Sequence, residues 1–528
     1  MRFKYLIILL FVFLLEALCA ASAQKIIQYE AGMGSRDPQN ADVWILYNTV
    51  EATHEGMTLY ADSATFDTKN NIFTAYNNVV MYITDTTILY GHVAIYDGTL
   101  RLADIRGDTV TLVDGGTTLK TDMLTYDRND NTAFYFNWGH TTNGSSTCFS
   151  RRGVYNSDTR DLFLFYDVVL TDSNSRLETD SLHYNTETEL AVFTSPTYIF
   201  SDSSSVYSEH GTYNTSTHEA SSYKASQVVD REKILICDTL FFNDSTEHGE
   251  AYGNVHIIDT LNNVHCFGKV GITDRESRMS FVTDSALIVY VEKGDSLFMH
   301  ADSIWAYNDT NNSFDRALVY RNVSLFRKDV QGLCDSAVYS AADSVLSMYY
   351  DPVVWYEDYQ CVADTIVSLF DTSGIRTIFL NNNVFAIERV DTMRYNQVKG
   401  HNAVVNCRDG EPQYTDIHGS AQMIYYVTDD DSGRKELMGV NIGIGSDIRI
   451  YFVNKKADRV VTYGEPDMTM HPPLSLKESE RTLDGFKWRS SERPRNKRDV
   501  FKLRNNKAVV SSSPHVLLPA EGVIDINK

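Results

Sequence analysis

The residues best suited to chemistry are polar and recurrent. Asp62, Asp122, Asp180, Asp238, Asp302, Asp335 and Asp364 occupy one slot of a repeated pattern. His92, Arg151, Glu209, Lys269 and His401 fill the same slot in the remaining copies. Recurrent carboxylates suggest glycoside hydrolysis, which needs two of them across one scissile bond. Here each copy offers one, beside a small residue and a Ser, Thr or Met, so turn chemistry accounts for them better. HExxH, GxSxG, P-loop and dinucleotide motifs are all missing, and the 14 histidines are scattered. Cys148, Cys237, Cys266, Cys334, Cys361 and Cys407 show no metal-ligand spacing, and most are expected as small buried hydrophobes. The expectation is therefore no enzyme, no cofactor and no metal.

The elements that position these residues are strands. The stretch Leu59–Asp67 returns as Leu119–Asp127, Leu177–Asn185 and Leu235–Asn243. Apolar or small residues stand three and one before the polar slot, then two and four after it. A flat strand keeps one parity, so the slot must be a bulge or corner that returns both pairs to one face. Successive slots lie 29 to 37 residues apart, a true internal repeat. Each copy has a second half ending in a polar pair and Val, as in Asn77-Asn78-Val79, Gly253-Asn254-Val255 and Asn382-Asn383-Val384. That pair suits a second bend at the opposite rim. Asp284-Ser285-Ala286 falls off the period and reads as an added strand. The fold expected is all-β: elongated stacks of bent antiparallel strand pairs that make two facing sheets, built from repeats of about 30 residues.

Composition agrees. The 528 residues include 32 Tyr and 25 Phe but only 10 Pro, favouring strands. Residues 1–23 read as a cleavable signal peptide, with Arg2 and Lys4 before an apolar run and Ala21-Ser22-Ala23 at the cut. A polar lead-in covers 24–42, the repeats 43–411 as one or two consecutive modules, and a looser β segment 412–473. A net charge of −23 excludes nucleic acid as a partner and implies that an anionic ligand would be held mainly by its apolar part, or by a local basic region. The last segment, 474–528, is a basic tail. Lys477–Lys507 carries eleven Lys or Arg against five Asp or Glu, and reads either as a solvated or disordered tail or as a docking or phosphate-binding segment.

Function would lie on the inward face, at Leu59, Ala64, Phe66, Leu89, Ala94, Leu119, Leu124, Tyr126, Leu177, Leu182, Tyr184, Leu235, Leu240, Phe242, Met299 and Ile304. Two readings stand: a self-filled sandwich core, or an open groove that accepts a lipid. The segments Ala61–Asp67, Asp122–Asp127, Asp180–Asn185 and Gly253-Asn254-Val255 resemble the OstA-like/LptA family of lipopolysaccharide-transport proteins. The likeness runs from about Asn48 to Ile387. It implies an elongated antiparallel β-jellyroll, V-shaped, whose groove takes the acyl chains of lipid A, a periplasmic place that reaches towards the outer membrane, and partners of the same β-jellyroll kind, or further copies, joined by edge-strand addition. The expected function is thus non-enzymatic shielding of lipopolysaccharide acyl chains during transport. The alternatives are a structural or adhesive surface repeat protein and, behind it, a polysaccharide-processing enzyme.

Overall fold

The computed structural model describes residues 26–502 apart from 203, 244, 293–294, 312, 373, 430–435 and 473–474. The signal-peptide reading and the end of the basic tail lie outside the described residues. The fold is the expected all-β antiparallel jellyroll. Every described strand pairing is antiparallel, and the only helical pieces described are single 3-10 turns at Glu478–Glu480 and Asp499–Phe501. Two compact units divide the chain. The first holds residues up to Val291 with Trp305–Phe314, and the second holds Glu292–Ile304 with Asp315 onward.

The corner sets the shape of each repeat. Strand Val43–His54 pairs with Met57–Asp67 in register until Tyr47 faces Ser63, and pairing resumes at Val50 facing Ala61. Asn48 and Thr49 thus oppose the single residue Asp62, a bulge that bends both strands together. Leu59, Ala61, Ala64 and Phe66 all emerge on the buried side, the phase slip the sequence demands.

The polar pair does not bend the sheet at an opposite rim. It sits at the same corner, on the strand beside the slot residue: Asn77 and Asn78 lie between the registers Ser63–Tyr76 and Tyr60–Val80, facing Asp62. Both members of the pair take left-handed backbone angles, with φ of 61° at Asn77 and 49° at Asn78. The same is true of Gly253-Asn254, Arg321-Asn322, Asn382-Asn383 and Gly419-Ser420. Asn and Gly tolerate this region best, which explains their frequency in the pair. Asp284-Ser285 is another such pair, so it closes the Lys269 repeat rather than adding a strand.

Side chains across the corner complement each other. Asn78, Asn137, Asn254 and Asn322 donate Nδ2 to Asp62, Asp122, Asp238 and Asp302 at 2.8–3.0 Å. Asn383 donates to both oxygens of Asp364. Where the slot is basic the partner turns acidic, giving Arg151–Asp167 and Lys269–Asp284. Where it is Glu209 the partner is Lys224. The aspartates are therefore joints of a polar ladder.

In the second unit the basic segment is seated. Residues 475–493 run as a strap across strands, following one cross-strand row of side chains: Gln331, Trp355, Gln360, Ile387, Gln397 and Ile424. Gln360 donates Nε2 to the Lys487 carbonyl (2.8 Å) and accepts from the Arg489 amide (2.7 Å). Gln397 repeats the arrangement, donating to the Arg481 carbonyl and accepting from the Leu483 amide. Gln331 accepts from Arg493 Nε. These three glutamines are at most 3 % exposed, so each clip satisfies a carboxamide that would otherwise be buried unpaired. Phe486 and Trp488 pack on Tyr395, and Leu476 joins a cluster with Ile424, Tyr426 and Val440.

Two outcomes test these features. Asn78→Val, a β-branched residue forced to positive φ, should cost about 1–3 kcal/mol in urea unfolding. Asn78→Gly should cost only the lost hydrogen bond, about 0.5–1.5 kcal/mol; equal costs would refute the left-handed corner as the constraint. Combining Gln360→Ala with Gln397→Ala should make trypsin cut between Lys487 and Arg493 severalfold faster, because four strap hydrogen bonds go. Unchanged digestion, followed by mass spectrometry, would show that the clips do not hold the strap.

Candidate lipid-binding cavity

Inward positions of the first unit are filled. Leu59, Ala64, Phe66, Leu89, Ala94, Leu119, Leu124, Tyr126, Leu177, Leu182 and Tyr184 belong to one continuous cluster, each at most 3 % exposed. A column of tyrosines, four residues beyond successive slots, runs through it: Tyr96, Tyr126, Tyr155, Tyr184 and Tyr213. Their rings fill the seam and their hydroxyls find partners at its edge. Tyr126 meets Ser157 Oγ at 3.0 Å, Tyr155 donates to Asp114 at 2.9 Å, and Tyr213 donates to Asp172 at 2.6 Å. Asp114 is itself buried and ion-paired with Arg160. Burial raises the pKa of Tyr126, Tyr155 and Tyr184 above the usual range, so these hydroxyls stay neutral. Leu240 packs with Cys237, Ala251 and Val255, and Leu235 and Phe242 lie half-buried against them. Met299 and Ile304 are buried in the second unit.

Free apolar space lies elsewhere in the second unit, among residues 327–460. The cavity holds about 170 Å³, and an apolar void on the order of 150 Å³ already takes up a small apolar ligand. One wall is the cross-strand row Val354, Cys361, Ala386, Val398 and Met423. Beyond the corner at Asn382-Asn383, the other wall carries Leu380, Ala403 and Ile417, with Ile378, Val405, Thr415, Ile450 and Val460 beside them. The two arms of the bent strands thus face each other across the void.

None of the sixteen inward residues named from the sequence lines this cavity. The signal that marks it is a fall in side-chain size at homologous positions. Three before the slot, Leu59, Leu119, Leu177 and Leu235 give way to Gly332, Cys361 and Val398; four after it, Phe66 and the tyrosines give way to Ser368 and Val405. Every ring removed without compensating collapse leaves unfilled volume.

At the far end of the walls the arms touch. The Tyr359 hydroxyl accepts a hydrogen bond from the Ala457 amide at 3.1 Å, and its ring meets Phe452 edge-on. Lys455 stands over the Tyr356 ring between Glu357 and Glu411. These ion pairs are largely exposed and contribute little, so the closure is weak beside the filled seam of the first unit.

Cysteines behave as small hydrophobes. Cys361 and Cys407 line the cavity as thiols, pushed up to about 11 by burial, and none of the six described cysteines is in a disulfide. Among the described residues no group of His, Cys, Asp and Glu is arranged to hold a metal ion. No catalytic constellation emerges around the slot aspartates, each of which serves a corner.

Comparison with known proteins finds similarity over part of the chain. The OstA-like protein family matches residues 24–180 and 162–234. Among solved structures, the crystal structure of LptH, the LptA-homologous periplasmic component of the lipopolysaccharide transport device of Pseudomonas aeruginosa, is similar at 13 % identity and a TM-score of 0.21. That similarity covers 28 % of this chain and 96 % of LptH. No curated protein matches. Residues 24–234, with their repeated corner motif, are similar to the OstA-like protein family.

Proposed function

We propose that this protein is a non-enzymatic carrier in lipopolysaccharide transport, and that the cavity of its second unit takes an acyl chain. The observation that carries the reading is the 170 Å³ apolar void between the two arms. The family match to OstA-like proteins supports the transport role, and the periplasmic LptH supports a periplasmic place.

Physical reasoning favours an enclosed apolar track. Each methylene exposed to water costs about 0.8 kcal/mol, so a chain of a dozen carbons costs roughly 10 kcal/mol to move unshielded. In this reading Ala386, Val398, Ala403 and Val405 shield the chain. The seam residues from Leu59 to Phe242 would join the track only where the arms part, because packed rings now occupy their space. Edges suited to strand addition by jellyroll partners or a second copy are present. Lys456–Tyr463 and Asp467–His471 each pair with Glu436–Val453 and show no second described partner.

The filled seam of the first unit favours a second reading for that unit alone, a structural spacer with a closed core. Photo-crosslinkers decide between the two. Placed at Ala386 and Val405, they should capture lipopolysaccharide in cells. Capture at Leu124 and Leu182 as well would show that the first unit opens. Capture confined to outward sites such as Lys120 and Glu178 would overturn the carrier reading.

A further inference from the structure

The cavity is largely apolar, and the one carboxylate among its lining residues is Glu388. Tyr359, Glu388 and Asn396 form a cross-strand row on its wall, at the end away from the corner. Asn396 Nδ2 donates to Glu388 Oε2 at 2.8 Å, while Asn396 Oδ1 accepts the Tyr426 amide at 2.8 Å. The carboxamide is thus held from both sides and cannot turn its oxygen towards a ligand. Among the described residues no basic side chain pairs with Glu388. Arg327 lines the same cavity but forks onto Asp329 at 2.7 and 3.1 Å.

A carboxylate facing apolar space is costly unless something donates to it. Asn396 supplies one hydrogen bond and the Tyr359 hydroxyl another, and a carboxylate accepts up to about four. The charges nearby sharpen the selection. Glu357 and Glu411 stand at the same end with the single Lys455 between them, so that group of three carries a net negative charge.

Resting on the carrier reading, we infer that the cavity takes an alkyl chain bearing a hydrogen-bond donor, a hydroxyl or an ammonium, at the depth of Glu388. The chain lies towards the corner, among Ala386, Val398 and Ala403, and the donor completes the carboxylate. An alkyl carboxylate of equal length is rejected, because its head meets Glu388 with no cation between them. A site built around a hydrogen bond discriminates strongly against ligands that cannot make it.

The test uses the full chain and three probes at pH 8: dodecanol, dodecylammonium and dodecanoate, each competing with a fluorescent alkyl reporter. The wild type should bind dodecanol and dodecylammonium roughly tenfold or more tightly than dodecanoate. Glu388→Gln should narrow that gap to about threefold, with dodecanoate gaining. Ala403→Trp, which fills the void, should abolish binding of all three and so separates the cavity from attraction of a cation to the acidic surface. Circular dichroism confirms that each variant is folded. Equal binding of the three probes by the wild type, or an unchanged gap in Glu388→Gln, would overturn the inference and leave the carrier reading standing. Binding of none of them would overturn the carrier reading itself.

Discussion

The structure depends on one joint: two consecutive left-handed residues on one strand, facing a single polar side chain on the next. The bulge bends the ladder while keeping it hydrogen-bonded. Asp238 still donates its amide to the Gly253 carbonyl at 3.0 Å, and Asp335 does the same to Tyr350 at 3.2 Å. Because both neighbours bend at the same level, apolar residues on either side of every corner converge on one seam. Side-chain pairing across the joint is exchangeable in sign, as Asp62–Asn78 and Arg151–Asp167 show, but not dispensable in geometry. A polar pair there satisfies donors and acceptors that the bent ladder leaves over.

Once the corners are set, side-chain volume decides what the seam does. Large rings at Tyr126, Tyr155 and Tyr184 close it, and each ring brings a hydroxyl that must be satisfied at the edge. Cys361, Ala386, Ala403 and Val405 leave it open. The same architecture therefore yields a rigid filled unit and a hollow one without any change of topology. Rigidity on the outer face of the hollow unit comes from the strap. Its glutamine clips back the strands whose other face lines the cavity: Gln360 is adjacent to Cys361, and Gln397 to Val398.

Much of this was legible in the chain itself. The parity slip around Asp62 required a corner, the spacing of the slots required a repeat, and the strand composition required an all-β fold. The partner of the corner was legible only in part. Asn77-Asn78 announced a bend, but antiparallel register, which no local pattern reveals, puts that bend beside Asp62 rather than at a second rim. The same register turns Asp284-Ser285 from an apparent irregularity into the counterpart of Lys269.

The candidate site divides in the same way. Alternation alone determined which residues point inward, because side-chain direction follows from backbone period. Whether inward residues meet each other or an empty space is a three-dimensional sum of volumes across both arms, and only the tertiary structure decided it. The strap is the extreme case. Lys477–Lys507 shows a run of charge with no period, so its composition left solvation and docking equally open. Its place is determined by three glutamines 29 and 37 residues apart in the chain, which the antiparallel ladder brings into one row.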